Sequence, residues 1–424
     1  MPDSRIPPMM KLDGFRDGIV ISHLLVKFQA IIEGNTPEST DAPTFTDIFL
    51  VGNHQSTAYI SGLSVAEALF GRLHGDDALI QHSAILYGRG LKRLQFDLQN
   101  IEKEEIRAHS YMNLWSSIFL GMYEMMTAST PMNWLEHSRG LSALMQSIGP
   151  YAFQETSARR LFYSNRLFIA TAGIATKKRT FLEDYEWKTI PWAALDPLPR
   201  PVTILLQDIF CDIPGFMEDA VRLGPCSSKE KSPALGDLQT KIINAYMATD
   251  SLRWIWEEEY PNACWEVPVT AGLTHESGES SPLPFTTMLH FSDFDRAIDV
   301  IYFNVIRLLV CELADEAGLS PEALLQSSSV DTTTTGPFSN AILPPGRGGV
   351  QDFALEICRT VQYLVHGDTD SLGTLVLMFP LRVASHHLQH QPSVLKWISW
   401  ILAKFTAKKG FKLGEYVLDM TSVK

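Results

Sequence analysis

Apolar residues recur every three or four positions along most of this chain, the spacing that places them on one face of an α-helix. Residues 14–32 begin the pattern, with Phe15, Ile19 and Val26 at such steps. The same spacing predicts further helices over 61–73, 77–108, 110–127, 134–147, 156–176, 235–259, 292–318, 350–366, 372–390 and 393–409. We therefore predict an all-α fold, an array of about a dozen helices with irregular loops around an apolar cavity.

Local residues mark where some of these helices begin and end. A hydroxyl at Thr156 or Ser157 accepts from unpaired first-turn amides and predicts a helix start there. Pro233 stands where a helix begins, since no amide partner is lost at that position. Gly318 stands where a left-handed residue ends one.

Two segments lack the helical pattern. Residues 261–285 are rich in Pro, Gly, Ser and Thr, and we predict an irregular loop or lid. Residues 327–349 contain too few apolar side chains to bury themselves, which predicts disorder. No internal repeat is convincing, so residues 1–424 are taken as a single helical domain.

Charge and composition exclude several classes of protein. The chain has 35 basic and 48 acidic residues, and its net charge of −13 repels a polyanion, so direct nucleic-acid binding is not expected. No window reaches the ~18 apolar residues of a membrane span. The first residues have no apolar core of a secretory signal, and the five cysteines are scattered. We expect an intracellular, cytoplasmic protein.

Two sets of residues resemble a known family. The first set is Trp134-x-x-His137-x-x-Gly140, Gly149-Pro150, residues 179–182 and Pro191-Trp192. The second set is residues 357–359 and 379–384, with Trp397 and Trp400. Together they resemble the regulatory domain of fungal-specific transcription factors, which lies downstream of a zinc binuclear cluster. The resemblance implies an all-α fold in which such residues occupy core and helix-junction positions and are not catalytic.

The zinc cluster of that family is missing from this sequence. Such a cluster needs six cysteines within roughly 30 residues, because two metals share bridging thiolates. Here the nearest two cysteines, Cys211 and Cys226, are 15 positions apart. The chain therefore lacks the part that reads DNA in the family.

Motifs that would carry metal or nucleotide chemistry are weak. Asp76 and Asp77 have no third acid at helical spacing and are better explained as an acidic helix start. Residues 257–259, three glutamates, are interpreted as a solvated helix end. His386 and His390 share a helical face, but exposed histidines explain them without a metal. Phosphate-loop, dinucleotide and serine-hydrolase motifs are absent from the sequence, so we predict no metal and no other cofactor.

Aromatic residues and methionines crowd two predicted helices more densely than a single core stripe requires. We predict that they line a pocket for a small apolar metabolite, although ordinary core packing is the alternative. The aromatic and methionine side chains are Tyr111, Trp115, Met122, Tyr123, Tyr246, Met247, Trp254 and Trp256. The polar side chains that would orient the ligand are His137, Asn304 and Arg382.

Two functions are compatible with these features. In the first, the cavity binds a natural-product intermediate of fungal secondary metabolism and promotes a cofactor-independent cyclisation, Diels-Alder type cycloaddition or isomerisation. Such catalysis needs no sequence motif, since shape and one hydrogen-bond donor can lower the barrier. In the alternative, the chain is a ligand-sensing regulator without its own DNA-binding domain, located in the nucleus. A homodimer fits either function.

Overall fold

The computed structural model of the protein describes residues 13–32, 44–99, 106–127, 133–195, 200–224, 233–269, 284–320, 324, 342–343, 348–365 and 370–409. Helices dominate these ranges, which confirms the all-α prediction. The α-helices, in chain order, are α1 (Asp13–Ile32), α2 (Phe45–Leu50), α3 (Thr57–His74), α4 (Asp77–Gln99), α5 (Ile106–Thr127), α6 (Asn133–Ile148), α7 (Thr156–Thr176), α8 (Tyr185–Thr189), α9 (Val202–Leu223), α10 (Pro233–Glu259), α11 (Phe294–Glu316), α12 (Val350–Leu364), α13 (Asp370–His387) and α14 (Pro392–Lys409). Short 3₁₀ helices span Pro150–Gln154, Phe181–Glu183 and Ile190–Leu195.

Helix α3 is the central element of the first half of the chain. Nearly all of its side chains are buried, and α1, α4 and α5 pack around it. Small residues allow these close approaches. A Cβ at Gly62 would lie 2.5 Å from Cζ of Phe49, so the ring of Phe49 packs directly on the backbone of α3.

Helix α11 has the same central position in the second half. Almost every side chain from Val300 to Leu309 is buried, and α9, α10, α12 and α13 surround the helix. Helix α7 contacts α1 and α6 on one side and α9 on the other, so it joins the two halves. The buried apolar residues of both halves form one hydrophobic core.

A small antiparallel hairpin covers one end of α12. Strands β1 (Cys264–Pro268) and β2 (Thr287–Phe291) pair with Cys264 opposite Phe291. Arg359 of α12 holds the hairpin by donating to the hydroxyl of Thr287 at 2.9 Å and by pairing with Glu266. Residues 264–268 therefore form a strand, which corrects the prediction of irregular backbone over 261–285. Residues 270–283 of that segment lie outside the described residues.

The start of α7 differs from the prediction, whereas the end of α11 agrees with it. The side chain of Glu155, not a hydroxyl of Thr156 or Ser157, accepts from the amides of Ser157 and Ala158 at 3.1 and 2.9 Å. A carboxylate at this position also suits the positive end of the helix dipole. Gly318 adopts φ +71° just after α11, as predicted.

Several other boundaries also differ from the hydrophobic pattern. The pattern predicts no helix for 202–223, yet α9 begins directly after Pro201 and continues through Pro214. The predicted helix over 77–108 ends at Gln99, and residues 100–105 lie outside the described residues. Of the segment 327–349, predicted to be disordered, only 342, 343, 348 and 349 are described.

We expect Gly90→Ala to destabilise the protein by ~1–3 kcal/mol, because α4 lies too close to its neighbours at this position for an added methyl group. A Cβ at Gly90 would lie 2.7 Å from Oγ of Ser61 in α3 and 3.3 Å from Cδ2 of Leu120 in α5. Gly88→Ala in the same helix is the control, since no atom lies within 4 Å of its Cβ position. Urea denaturation should show Gly88→Ala unchanged or stabilised by up to about 1 kcal/mol. Equal effects of the two substitutions would contradict the close packing.

Candidate functional site

The predicted ligand residues of α5 are mostly packed in the core. The hydroxyl of Tyr111 donates to the carbonyl of Ala152 at 3.0 Å, which ties α5 to the 3₁₀ helix at Pro150–Gln154. Trp115 is buried and its ring stacks on Phe119, with 5.7 Å between centroids. Met122 is partly buried against the same core. Tyr123 belongs to a polar cluster described below.

The predicted ligand residues of α10 have mixed environments. Tyr246 is buried in the core, whereas Met247 is 37% exposed and Trp254 is half-buried. Trp256 is buried, and its indole nitrogen donates to Oδ2 of Asp299 at 3.0 Å. These side chains point in several directions around the helix and do not form a common wall.

The predicted ligand residues of α5 and those of α10 lie on helices that pack against different neighbours. Helix α5 packs mainly against α3, α4 and α6, whereas α10 packs mainly against α9 and α11. Among the predicted polar groups, Asn304 is buried and donates to Glu356 at 2.8 Å. Arg382 is half-buried, and burial lowers the pKa of its guanidinium. The structure therefore places the α5 and α10 residues in different helix packings, and it places His137 in one cluster with Tyr123.

That cluster lies where α4, α5 and α6 meet, and it comprises Tyr87, Tyr123, Glu124, Asn133 and His137. The hydroxyl of Tyr87 donates to Oε1 of Glu124 at 2.6 Å and lies 3.2 Å from Nε2 of His137. Asn133 donates to the second oxygen of Glu124 at 3.2 Å. The rings of Tyr87 and Tyr123 are stacked, with 4.3 Å between centroids. We call these five residues the Tyr87 cluster.

Burial sets the protonation states in the Tyr87 cluster. It raises the pKa of the Tyr87 hydroxyl, and the hydrogen bond to Glu124 raises that pKa further. Burial also lowers the pKa of His137 below 6.5, which outweighs the opposing effects of Glu124 and Glu136. At neutral pH the cluster therefore holds a protonated phenol beside a neutral imidazole.

This arrangement has the parts of a general acid-base centre. Since Tyr87 donates its proton to Glu124, its oxygen is left to accept from Nε2–H of His137, and this network assigns the imidazole tautomer. Nδ1 of His137 is then a basic nitrogen with no hydrogen bond to the described residues. A neutral imidazole held by a tyrosine and a carboxyl group is suited to take a proton from a bound molecule.

An open hollow lies on α4 beyond the Tyr87 cluster, toward the end of the helix. It has a volume of about 580 Å³ and is lined by Leu91, Leu94, Gln95, Leu98 and Gln99. The three leucines follow Tyr87 at steps of four, three and four residues, so all four lie on one side of α4. Leu91 and Leu98 are 37% and 40% exposed. We call this feature the leucine hollow. Its first lining residue, Leu91, lies about one helical turn beyond Tyr87.

Tyr87, Glu124 and Asn133 of the Tyr87 cluster were not predicted from the sequence, although the first two leave a signal there. Glu124 is the acidic residue within the apolar run Met122-Tyr123-Glu124-Met125-Met126, and a buried acid in such a run requires a polar partner. Tyr87 begins the stripe that continues with the three leucines. Neither signal identifies the partner, because the partners lie on other helices.

The acidic motifs singled out in the sequence are structural. Asp76 accepts from the amide of Leu79 at the beginning of α4, as expected for an acidic helix start. Glu257 is buried and pairs with Arg253 at 2.5 Å, which corrects its assignment to a solvated helix end. Glu258 and Glu259 are exposed, as predicted.

The histidine motif does not form the predicted helical face. Helix α13 ends at His387, so His390 lies beyond it. His387 lies 2.8 Å from Glu312, while His386 is exposed. Among the described residues, no three His, Cys, Asp or Glu side chains are grouped as metal ligands. Within the same ranges, none of the helices has the length and apolar run that a membrane span needs.

Comparison with known proteins gives one distant relative. The chain is 30% identical over 200 residues to an uncharacterized protein of Emericella nidulans, an alignment that covers 45% of this chain and 41% of that protein. The chain thus matches less than half the length of this relative. No family model matches, and no solved structure matches. The resemblance to the fungal regulatory domain stays a prediction.

Proposed function

We propose that this protein binds a small, largely apolar metabolite along α4 and promotes a cofactor-independent isomerisation or cyclisation at the Tyr87 cluster. The observation that supports this proposal is the continuity of one helix stripe. Its Tyr87 end holds an acid-base group, and its leucine end is an exposed apolar hollow. Apolar hollows with a few converging polar groups are typical of small-molecule sites.

The proposed chemistry is a proton transfer next to a carbonyl group. Nδ1 of His137 takes the proton from the carbon, and the electron pair of the broken C–H bond moves into the conjugated system of the substrate. The imidazolium is stabilised through Tyr87 and Glu124, then returns its proton to a different carbon of the same molecule. The substrate is isomerised or closes a ring, and the protein ends in its starting protonation state.

The ligand-sensing regulator remains the alternative, and the same site would serve it. Both functions need the leucine hollow, whereas only the enzyme needs the basic nitrogen of His137. Binding of an apolar ketone without turnover would therefore favour the regulator.

We expect Tyr87→Phe to lower turnover by ~10²-fold or more, because it removes the hydroxyl that links His137 to Glu124. The phenyl ring can still stack on Tyr123, so the loss concerns the hydrogen bonds. The assay uses a β,γ-unsaturated cyclic ketone with a linear alkyl tail in deuterium oxide. Its conversion to the conjugated ketone is followed by absorbance, and deuterium in the product by mass spectrometry.

Tyr111→Phe is the matched control. It likewise removes a tyrosine hydroxyl that donates a hydrogen bond, here to the carbonyl of Ala152, but Tyr111 lies outside the cluster. This variant should keep its turnover. Because burial lowers the pKa of His137, the rate of the wild-type protein should fall only below the ordinary histidine pKa of 6.5 as the solution is acidified. Equal rates for the two tyrosine variants, or a rate that falls well above that pH, would contradict the proposal.

A further inference from the structure

Arg166 of α7 is a fully buried cation that packs against α9 and the 3₁₀ helix Ile190–Leu195. Its Nη2 donates to Oδ1 of Asp208 in α9. Its Nε and Nη1 are also buried and have no hydrogen-bond partner within the described ranges. A charged donor without an acceptor in a protein core costs free energy. These two N–H groups therefore indicate a place where a further acceptor binds.

Trp192 supplies a third donor of the same kind. Its indole nitrogen is buried and, in the part of the chain that the structure describes, has no hydrogen-bond partner either. Cζ of Arg166 lies 5.7 Å from the centroid of the Trp192 ring and 5.6 Å from that of Phe162. The unpartnered N–H groups thus belong to two neighbouring side chains in an aromatic environment.

The charges around Arg166 do not balance. Two guanidinium groups share the carboxylate of Asp208, because Arg200 donates to its Oδ2 at 3.0 Å. Lys188 and Asp212 form a separate pair beside them. Three cations therefore face two carboxylates among these described side chains. One positive charge is left in excess, and its least exposed member is Arg166.

Other acids near the site do not supply the missing negative charge. Asp299, Asp295 and Arg166 all influence the pKa of Tyr163, which places them around that residue. Asp299 already has a cation of its own, since Arg296 lies 3.3 Å from its Oδ2. Asp295 is exposed to solvent. Burial raises the pKa of the Tyr163 hydroxyl, so this group stays neutral.

We propose that Arg166 and Trp192 bind a small monovalent anion, such as chloride or formate, between α7, α9 and the 3₁₀ helix Ile190–Leu195. The anion accepts from the unpartnered N–H groups of the two side chains and balances the excess positive charge. The aromatic rings limit access of water, which strengthens each of these interactions. A divalent anion such as sulfate is disfavoured, because it is more costly to remove from water and exceeds the charge to be balanced.

The anion reaches Arg166 by displacement of Trp192. This residue lies on a 3₁₀ helix of six residues, whereas Arg166 and Asp208 lie on long helices of the core. Short elements with few packed neighbours open at a lower free energy than core helices. Exchange of the anion therefore leaves α7 and α9 in place.

The test measures anion binding by the full chain in solution. Chloride is followed by the width of its chlorine-35 NMR line, and formate by saturation-transfer NMR of its proton. At least one of the two should bind to the wild-type protein, and sulfate at equal ionic strength should not displace it. If both bind, each should displace the other, because they occupy one site.

Trp192→Phe should weaken this binding about tenfold or more, since it removes the indole N–H but retains an aromatic ring. Trp187→Phe is the matched control, because both tryptophan rings pack on Phe162, with 5.6 Å between centroids for Trp187 and 6.0 Å for Trp192. The control should bind the anion as the wild-type protein does.

A second variant, Arg166→Met/Asp208→Leu, removes the buried cation together with its partner. It should lose anion binding while its circular dichroism stays helical. Absence of binding by both anions, displacement by sulfate, or equal binding by the two tryptophan variants would overturn the proposal. Undiminished binding by a folded Arg166→Met/Asp208→Leu protein would also overturn it, because the anion would then occupy a surface cation.

Discussion

Asp250→Ala should destabilise the protein by about 3–5 kcal/mol, because it leaves the guanidinium of Arg307 buried without its charged partner. Nε and Nη2 of Arg307 lie 2.9 and 2.6 Å from the same carboxyl oxygen of Asp250. Both residues are buried, where α10 packs against α11. Water cannot replace the lost carboxylate at such a site without opening the helix contact.

Chemical denaturation of the purified variants measures this effect. Asp237→Ala is the control, since Asp237 is an exposed acid of the same helix, and its replacement should change the free energy of unfolding by less than ~0.5 kcal/mol. Asp250→Leu/Arg307→Met should recover much of the loss by removing both charges. If Asp250→Ala and Asp237→Ala had equal effects, the buried ion pair would not be present as described.

Most of the helices could be predicted from the sequence, because a helix that buries one face has apolar residues at every third or fourth position. Helix α11 was predicted over 292–318 and lies at Phe294–Glu316, although it is buried on almost all sides and buried polar residues such as Asp299 and Asn304 interrupt its apolar pattern. Helix α9 was missed because the pattern is framed by Pro201 and interrupted by Pro214. Both prolines suggested a helix boundary. The helix nevertheless continues through Pro214, where packing against α7, α10 and α11 stabilises it.

The candidate site was less predictable, because it depends on which helices become neighbours. Aromatic density predicted a pocket, and rings such as Trp115 are buried in the core. His137 and Tyr123 were among the predicted residues, whereas Tyr87, Glu124 and Asn133 were not. Their hydrogen bonds join three helices, and the hydrophobic period of each helix carries no information on such partners.

Trp256 illustrates how an aromatic residue can mark a polar centre. Its indole nitrogen donates to Oδ2 of Asp299, and the hydroxyl of Thr203 lies 3.5 Å from the same oxygen. Arg296 lies 3.3 Å away, and its guanidinium stacks over the ring of Tyr260 at 3.8 Å. These partners favour the charged form of Asp299. Burial outweighs them and raises the pKa of Asp299 from 3.8 to about 7.

A carboxyl group with a raised pKa in the folded state makes stability fall as the pH rises. Below 3.8 the group is protonated in both the folded and the unfolded chain, so it contributes nothing. Between 3.8 and about 7 the unfolded chain releases the proton while the folded chain retains it, which destabilises the fold. Above that range both forms are charged and the destabilisation is constant, at up to about 4 kcal/mol.

Asp299→Asn should therefore be more favourable to stability at high pH than at low pH. The free energy of unfolding of Asp299→Asn, relative to the wild-type protein, should increase by up to about 2–3 kcal/mol between about pH 5 and pH 8, because part of the full effect has already developed below pH 5. Comparing the variant with the wild-type protein at each pH cancels the contributions of other titrating groups. Asp237→Asn, an exposed position that loses the same charge, should show a much smaller change. If the relative stability of Asp299→Asn is the same at both pH values, Asp299 titrates at its ordinary pKa, and the other charged groups around Trp256 compensate for its burial.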